Sequence, residues 1–203
     1  MPNEPARNRW RVVARELSDN ELVLAMQRGD SSVARLLYAR LYPAIDSALR
    51  RVLRHRGFDT EDLVQTTFER VIRAIAADRF SGKSALTTWA AAIAGHVAID
   101  HLRRLQFERR LFHDVSPAEA PARPSGTYSL EGSLVARSEI QRVQGILARM
   151  SPLLATTVVL HDVLGHTMEE VASIIGVSEP AARSRLLRGR RELVRRAAAR
   201  KTA

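Results

Sequence analysis

The stretch VASIIGVSEPAARSRLLRGRREL, residues 171–193, gathers the side chains best suited to chemistry with a polyanion. Arg183, Arg188 and Arg191 carry guanidinium forks that match phosphate oxygens and the O6/N7 edge of guanine. Ser184 adds a hydroxyl beside them, and Leu187 an apolar group of the kind that meets a thymine methyl. Helical spacing puts these residues on one side. Ala182, Leu186, Gly189 and Leu193 recur at steps of four, three and four on the other side, which must pack inward. Thr167 and Glu170 have capping-box spacing for a helix MEEVASII, and Gly176 supplies a left-handed turn. Ser178 is placed to cap the next helix, and Pro180 falls in its first turn, where no helical N–H is lost. Two short helices on a tight glycine turn make a helix-turn-helix, whose second helix enters the major groove. Arg195, Arg196, Arg200 and Lys201 extend the charge as phosphate anchors or as a solvated tail.

The remaining reactive side chains do not assemble an enzyme. His96 and His101 are five apart, as are His161 and His166, so on a helix each pair diverges by about 140° and makes a poor metal site. No P-loop, Rossmann glycine pattern or nucleophile elbow occurs. With no cysteine in the chain, thiolate catalysis, disulfides and cysteine-ligated zinc are excluded. A second constellation lies on the helix after Asp59. Val64, Phe68, Val71 and Ile75 form an apolar stripe, and Asp62, Gln65, Glu69 and Arg73 a polar one. By spacing alone that polar face is a solvated one.

The elements that must hold these residues are helices throughout. Ala, Leu, Arg and Val dominate, aromatics are only 5%, and no period-two alternation competes. Ser18 and Glu21 form a capping box for a helix ending at Gly29. Asp30 caps the next, in which Pro43 is expected to kink or restart the chain before Gly57 ends it. Asp59 caps TEDLVQTTFERVIRAIAA, DRFSGKS is a loop, and ALTTWAAAIAGHVAIDHLRRLQFERR is one long helix. Prolines and glycines among small and acidic residues make 113–137 a flexible linker. The expectation is an all-α chain: a tail over 1–17, a helical domain over 18–112, the linker, and a helix-turn-helix domain with a basic tail over 138–203. A formal net charge of +10 points to nucleic acid or an anionic surface. No apolar run is long enough for a membrane span and no signal-peptide core opens the chain, so a cytoplasmic protein is expected.

Three segments carry a family resemblance. DTEDLVQTTFERV, FSGKSALTTWAAAIAGHVAIDHLRR and ARMSPLLATTVVLHDVLGHTMEEVASIIGVSEPAARSRLLRGRREL resemble, in order, the conserved regions of bacterial sigma factors. The nearest group is the compact extracytoplasmic-function (ECF) branch of the sigma-70 family, which keeps two helical domains. The resemblance covers residues 18 to about 112 and 138 to about 196. It implies a subunit that binds core RNA polymerase through the largest-subunit clamp and the flap, recognises −10 and −35 promoter elements and aids melting. Asp62, Gln65, Glu69, Arg70 and Arg73 would dock on polymerase. Phe80, Lys83, Trp89, His96, Arg103 and Arg104 would handle the −10 element, although Trp89 shares a helical face with Ile93 and Val97 and so fits the core as well. Ser178, Pro180, Arg183, Ser184, Leu187, Arg188 and Arg191 would serve the −35 element. Thr66, His96, Ala155 and Pro180 depart from the residues usual in the family. The resemblance implies no cofactor or metal and admits an anti-sigma partner, and a monomer is expected. The rival reading is a helix-turn-helix repressor or activator that does not replace a sigma subunit.

Overall fold

The structure, a computed structural model, describes residues 17–54, 60–113 and 130–199. Among these every regular element is helical, as the sequence requires. Helix α1 (Asp19–Gln27) opens on the expected capping box: Glu21 N–H donates to Ser18 Oγ at 3.2 Å, and Ser18 N–H to Glu21 Oε2 at 2.7 Å. Asp30 accepts from the Ser32 N–H at 2.9 Å and starts a single 3₁₀ turn, Ser31–Val33, that leads into α2 (Ala34–Leu53).

Pro43 does not restart α2, which runs unbroken through it. Proline inside a helix costs roughly 3 kcal/mol. Against that, Leu36, Leu37, Leu41, Ile45, Leu49, Val52 and Leu53 stay in one buried register on both sides of it, each such burial contributing about 1.5–3 kcal/mol. Burial wins, and Pro43 sits on the solvent side. The helix ends at Arg54, in the left-handed region at φ 47°. The expected stop at Gly57 and cap at Asp59 lie outside the described residues.

Helix α3 (Thr60–Ala76) buries Leu63, Val64, Thr67, Phe68, Val71 and Ile75, the predicted stripe with two neighbours. Helix α4 (Leu86–His113) is held at its first turn by Asp19, whose carboxylate accepts from Leu86 N–H at 2.7 Å and pairs with Arg40 at 3.0 Å. One acid thus ties α1, α2 and α4 together. The middle of α4 is small-sided all round: Ala90, Ala92, Ala94, Val97, Ala98 and Ile99 are buried. A helix apolar on every side is packed on every side.

Helix α5 spans Leu130–Arg149, so residues 130–137, expected in the flexible linker, belong to a helix. Leu130, Leu134 and Val135 supply helical periodicity that the neighbouring glycines obscured. Residues 114–129 of the expected linker, the 1–16 tail and the basic end from Arg200 lie outside the described residues. Helix α6 (Pro152–Val158) runs into a π turn, Val159–Val163. Helix α7 (Met168–Ile175) has the predicted Thr167/Glu170 capping box, and Gly176 takes φ 66°. Helix α8 (Glu179–Ala199) follows, with Pro180 in its first turn.

The two halves are docked, and their buried apolar residues join in one core. At Gly95 of α4 the second domain comes close: a Cβ there would stand 3.2 Å from Leu164 and 3.5 Å from Val159. The polar part of the seam follows one rule, in which side-chain donors reach main-chain carbonyls. Arg51 Nη1 donates to Leu164 O at 3.0 Å, Arg103 Nη2 to Met150 O at 3.3 Å and Gln106 Nε2 to Gly145 O at 3.4 Å. Gln144, itself buried, donates in the other direction to Val52 O and Leu53 O at 3.2 and 2.5 Å. Those are last-turn carbonyls of α2, which have no partner within their own helix.

Candidate nucleic-acid interface

Helix α8 splits as its sequence demands. Ala182, Leu186 and Gly189 are buried against α6 and α7, and Leu193 is half-buried. Gly189 lies where α8 touches α6: a Cβ would meet Val158 Cγ2 at 2.6 Å and Leu154 O at 3.2 Å, so no side chain fits. Ser178, Pro180, Arg183, Ser184, Arg188 and Arg191 face solvent, and Leu187 is 51% exposed. Arg183 pairs with Glu179 one turn back, and Arg188 Nε donates to Ser184 O at 3.4 Å. Exposed pairs of this kind are worth little, so both guanidiniums exchange them readily for a phosphate or base edge. The structure therefore brings the predicted −35 residues together on one open face.

Sequence reasoning missed how this face is aimed. Arg190 grips Asp162 of the π turn with two donors, Nε to Oδ2 at 3.0 Å and Nη2 to Oδ1 at 2.5 Å. The Arg190 guanidinium holds the Asp162 carboxyl below the usual carboxylate range, opposed by partial burial and helped by His161. The pair tethers α8 to the π turn, in addition to the packing of Ala182, Leu186 and Gly189. Its partners are 28 residues apart, and no local pattern announces them.

The predicted −10 residues are not gathered on one open face. Phe80 is 9% exposed and packs against the half-buried Trp89 ring, centroids 5.3 Å apart. Phe80 is thus a wall of the core rather than a free stacking surface, because the loop folds back over the first turn of α4. Trp89 packs on that core too. Lys83 and Arg104 are exposed. Arg103 is spent on Met150 O, with Asp100 at 3.7 Å. Burial pulls the His96 imidazole below its ordinary range, with Asp100 opposing and Arg70 and Arg103 adding to the effect, so the ring is neutral at neutral pH. His96, Arg70, Asp100 and Arg103 form one wall of a cavity of about 440 Å³, and Leu153, Thr156, Ile175 and Arg185 of the second domain form the other.

On α3 the stripe Asp62, Gln65, Glu69 and Arg73 is exposed, with Arg73 paired to Glu69 at 3.1 Å. Arg70 leaves it and binds Asp100 of α4 at 2.8 Å. Beside the stripe lie two residues that sequence reasoning passed over. Tyr38 and Tyr42 of α2 are 48% and 39% exposed, and the Tyr38 ring stacks on Phe68 at 4.6 Å. Burial pushes the Tyr38 phenol up, with Tyr42 and Glu61 contributing. Their i, i+4 spacing on the helix was the available signal. Among the described residues no group of three His, Cys, Asp or Glu gathers to hold a metal, and no helix is long and apolar enough to cross a membrane.

Comparison with known proteins agrees with this division. The family model for sigma-70 region 2 matches residues 37–108, and that for sigma-70 region 4 matches residues 140–193. The chain is 28% identical over 184 residues to the ECF RNA polymerase sigma-E factor of Haemophilus influenzae, covering 88% of this chain and 94% of that protein. It is 30% identical over 183 residues to the ECF RNA polymerase sigma-E factor of Escherichia coli K12, covering 88% and 93%. Among solved structures it is similar to CnrH in complex with the cytosolic domain of CnrY, at 23% identity and a TM-score of 0.48, covering 89% of this chain and 97% of that one.

Proposed function

We infer the work of this chain from a kinship that is plain: it belongs to the extracytoplasmic-function sigma factors of the sigma-70 family. It is a subunit that binds core RNA polymerase and directs initiation at promoter DNA. The bond-making chemistry belongs to the polymerase, and we read this chain as non-enzymatic and at work in the cytoplasm. The helix-turn-helix regulator is not favoured, because such a regulator has no need of a first domain matching region 2 over residues 37–108.

The observation that carries the finer reading is the split of α8. It presents Arg183, Ser184, Leu187, Arg188 and Arg191 outward while Ala182, Leu186 and Gly189 are shut inward. This face enters the −35 major groove, with Ser178 and Pro180 at the positive end of the helix beside a phosphate. The α3 stripe docks on the polymerase clamp, flanked by Tyr38 and Tyr42. Lys83, His96, Arg103 and Arg104 take the −10 strand, with Trp89 and Phe80 as the packed support beneath them.

This assignment demands a change of shape. Elements named −10 and −35 lie about 25 base pairs apart, roughly 85 Å of duplex at ~3.4 Å per pair. A compact body of this length has a radius of gyration of only about 17 Å. The docked arrangement therefore belongs to the free protein, and the domains part on the promoter. An anti-sigma partner that holds them together is the corresponding off-switch.

The test is reconstitution of the full chain with core polymerase on a promoter library. Transcripts from defined start sites, lost on Arg188→Ala, are expected. Duplex binding without any association with core polymerase would overturn the reading.

A further inference from the structure

A second cavity lies on the seam; it shares Arg103 with the −10 set but lies outside the α3 stripe and the open face of α8, and it has the chemistry of an anion site. It is an open hollow of about 460 Å³ between three helices. Helix α4 contributes Arg103, Gln106, Phe107 and Arg110, one face at steps of three, one and three; α5 contributes Arg149 and α8 contributes Arg196. Four arginines thus line one hollow, with no carboxylate in the lining among the described residues.

Three of these arginines are poorly matched. Arg196 pairs with Glu192 at 2.7 Å, yet its buried Nε has no hydrogen-bond partner. Arg103 has Asp100 only at 3.7 Å. Among the described residues no acidic side chain pairs with Arg110, which is exposed. Like charges converging in a partly desolvated hollow repel, and buried donors without acceptors are costly. The repulsion is relieved when oxyanions fill the space.

The shape narrows the class of anion. A hollow of this volume fits a small molecule rather than a duplex. Guanidinium forks match phosphate oxygens bidentately. Phe107, 63% exposed at the margin, offers a flat ring on which a base stacks. We propose that this seam cavity binds a nucleoside polyphosphate, its phosphates held by Arg110, Arg149 and Arg196 and its base lying on Phe107. The arginines come from both domains, so the site exists only while the domains are docked. Its occupant must then favour the docked over the parted arrangement, as any ligand favours the state that holds its site.

The test uses the free full chain, so its outcome does not depend on promoter reading. Isothermal calorimetry at physiological salt compares ATP with inorganic triphosphate. ATP is expected to bind about threefold or more tighter, the share of a stacked base. Arg110→Ala and Arg149→Ala, one from each domain, should each weaken both ligands by about fivefold or more. Phe107→Ala should abolish only the advantage of ATP. Arg28→Ala, a distant exposed arginine, should change nothing, and circular dichroism checks that each variant keeps its helices. No binding at millimolar ligand would overturn the proposal. So would an equal loss in Arg28→Ala, which means bulk charge, or a loss confined to Arg110→Ala, which means that the site does not span the seam.

Discussion

Helices α4 and α8 carry similar guanidinium chemistry in opposite circumstances. On α8, Arg183, Arg188 and Arg191 stand open, engaged only with groups on their own helix or with none. On α4, Arg103 is bound to the other domain's backbone and His96 lies in a cavity that domain helps to close. The difference lies in what each helix packs against. Helix α8 leans on its own domain through Gly189 and keeps its far side free. Helix α4 is small-sided all round and is covered twice, by α2 and α3 on one side and by the second domain on the other. One basic face stands open in the docked form, and the other is partly covered.

The sharpest break of this contrast is Gly189→Leu. A Cβ at 2.6 Å from Val158 cannot be accommodated, so urea denaturation should show the second domain weakened by about 3 kcal/mol and −35 binding lost. Gly145→Ala is the control. There a Cβ meets only the far end of Arg149 at 4.0 Å, and stability should hold. Next in size, Arg188→Ala and Arg183→Ala should each weaken promoter binding by about 1–3 kcal/mol in gel-shift titrations of the reconstituted holoenzyme, and neither should alter docking of the domains.

A smaller and opposite effect is expected from Gln144→Ala. Losing its bonds to Val52 and Leu53 should loosen the seam by about 1 kcal/mol. On the proposed parting of the domains, core polymerase should then bind about fivefold more tightly. The smallest is the pH response. Burial depresses the folded-state pKa of His96 and His166, His166 being opposed by Glu170 and further lowered by Arg51 across the seam. The unfolded rings therefore take protons first. Their contribution is complete above about pH 6.5 and is lost as pH falls from there through the lowered folded values. Urea midpoints at pH 7.5 and 5.5 should differ accordingly, and less so in His166→Gln.

What the sequence disclosed follows from how local each signal is. The split of α8, both capping boxes and the left-handed Gly176 depend on residues within about three turns of one another, and each was legible. The restart expected at Pro43 is absent because local propensity was outweighed by a buried row visible only once α2 met its neighbours. The start of α5 was misread because glycines and the nearby prolines masked its leucines. Phe80 was misread because its burial depends on a loop folding back on Trp89. Docking of the domains had one trace in the sequence, the Ala/Gly run of α4, since helices packed on both sides must be thin. The Asp162–Arg190 pair and the seam bonds had none.

The acceptors of those seam bonds are worth a last thought. Every one is a peptide oxygen, at Val52, Leu53, Gly145, Met150 or Leu164, and all residue types carry that atom. Mutational drift on the receiving side therefore leaves the polar clasp intact so long as the backbone keeps its course. Two such proteins could diverge widely along these helices and still close in the same way, provided that they retain Arg51, Arg103, Gln106 and Gln144.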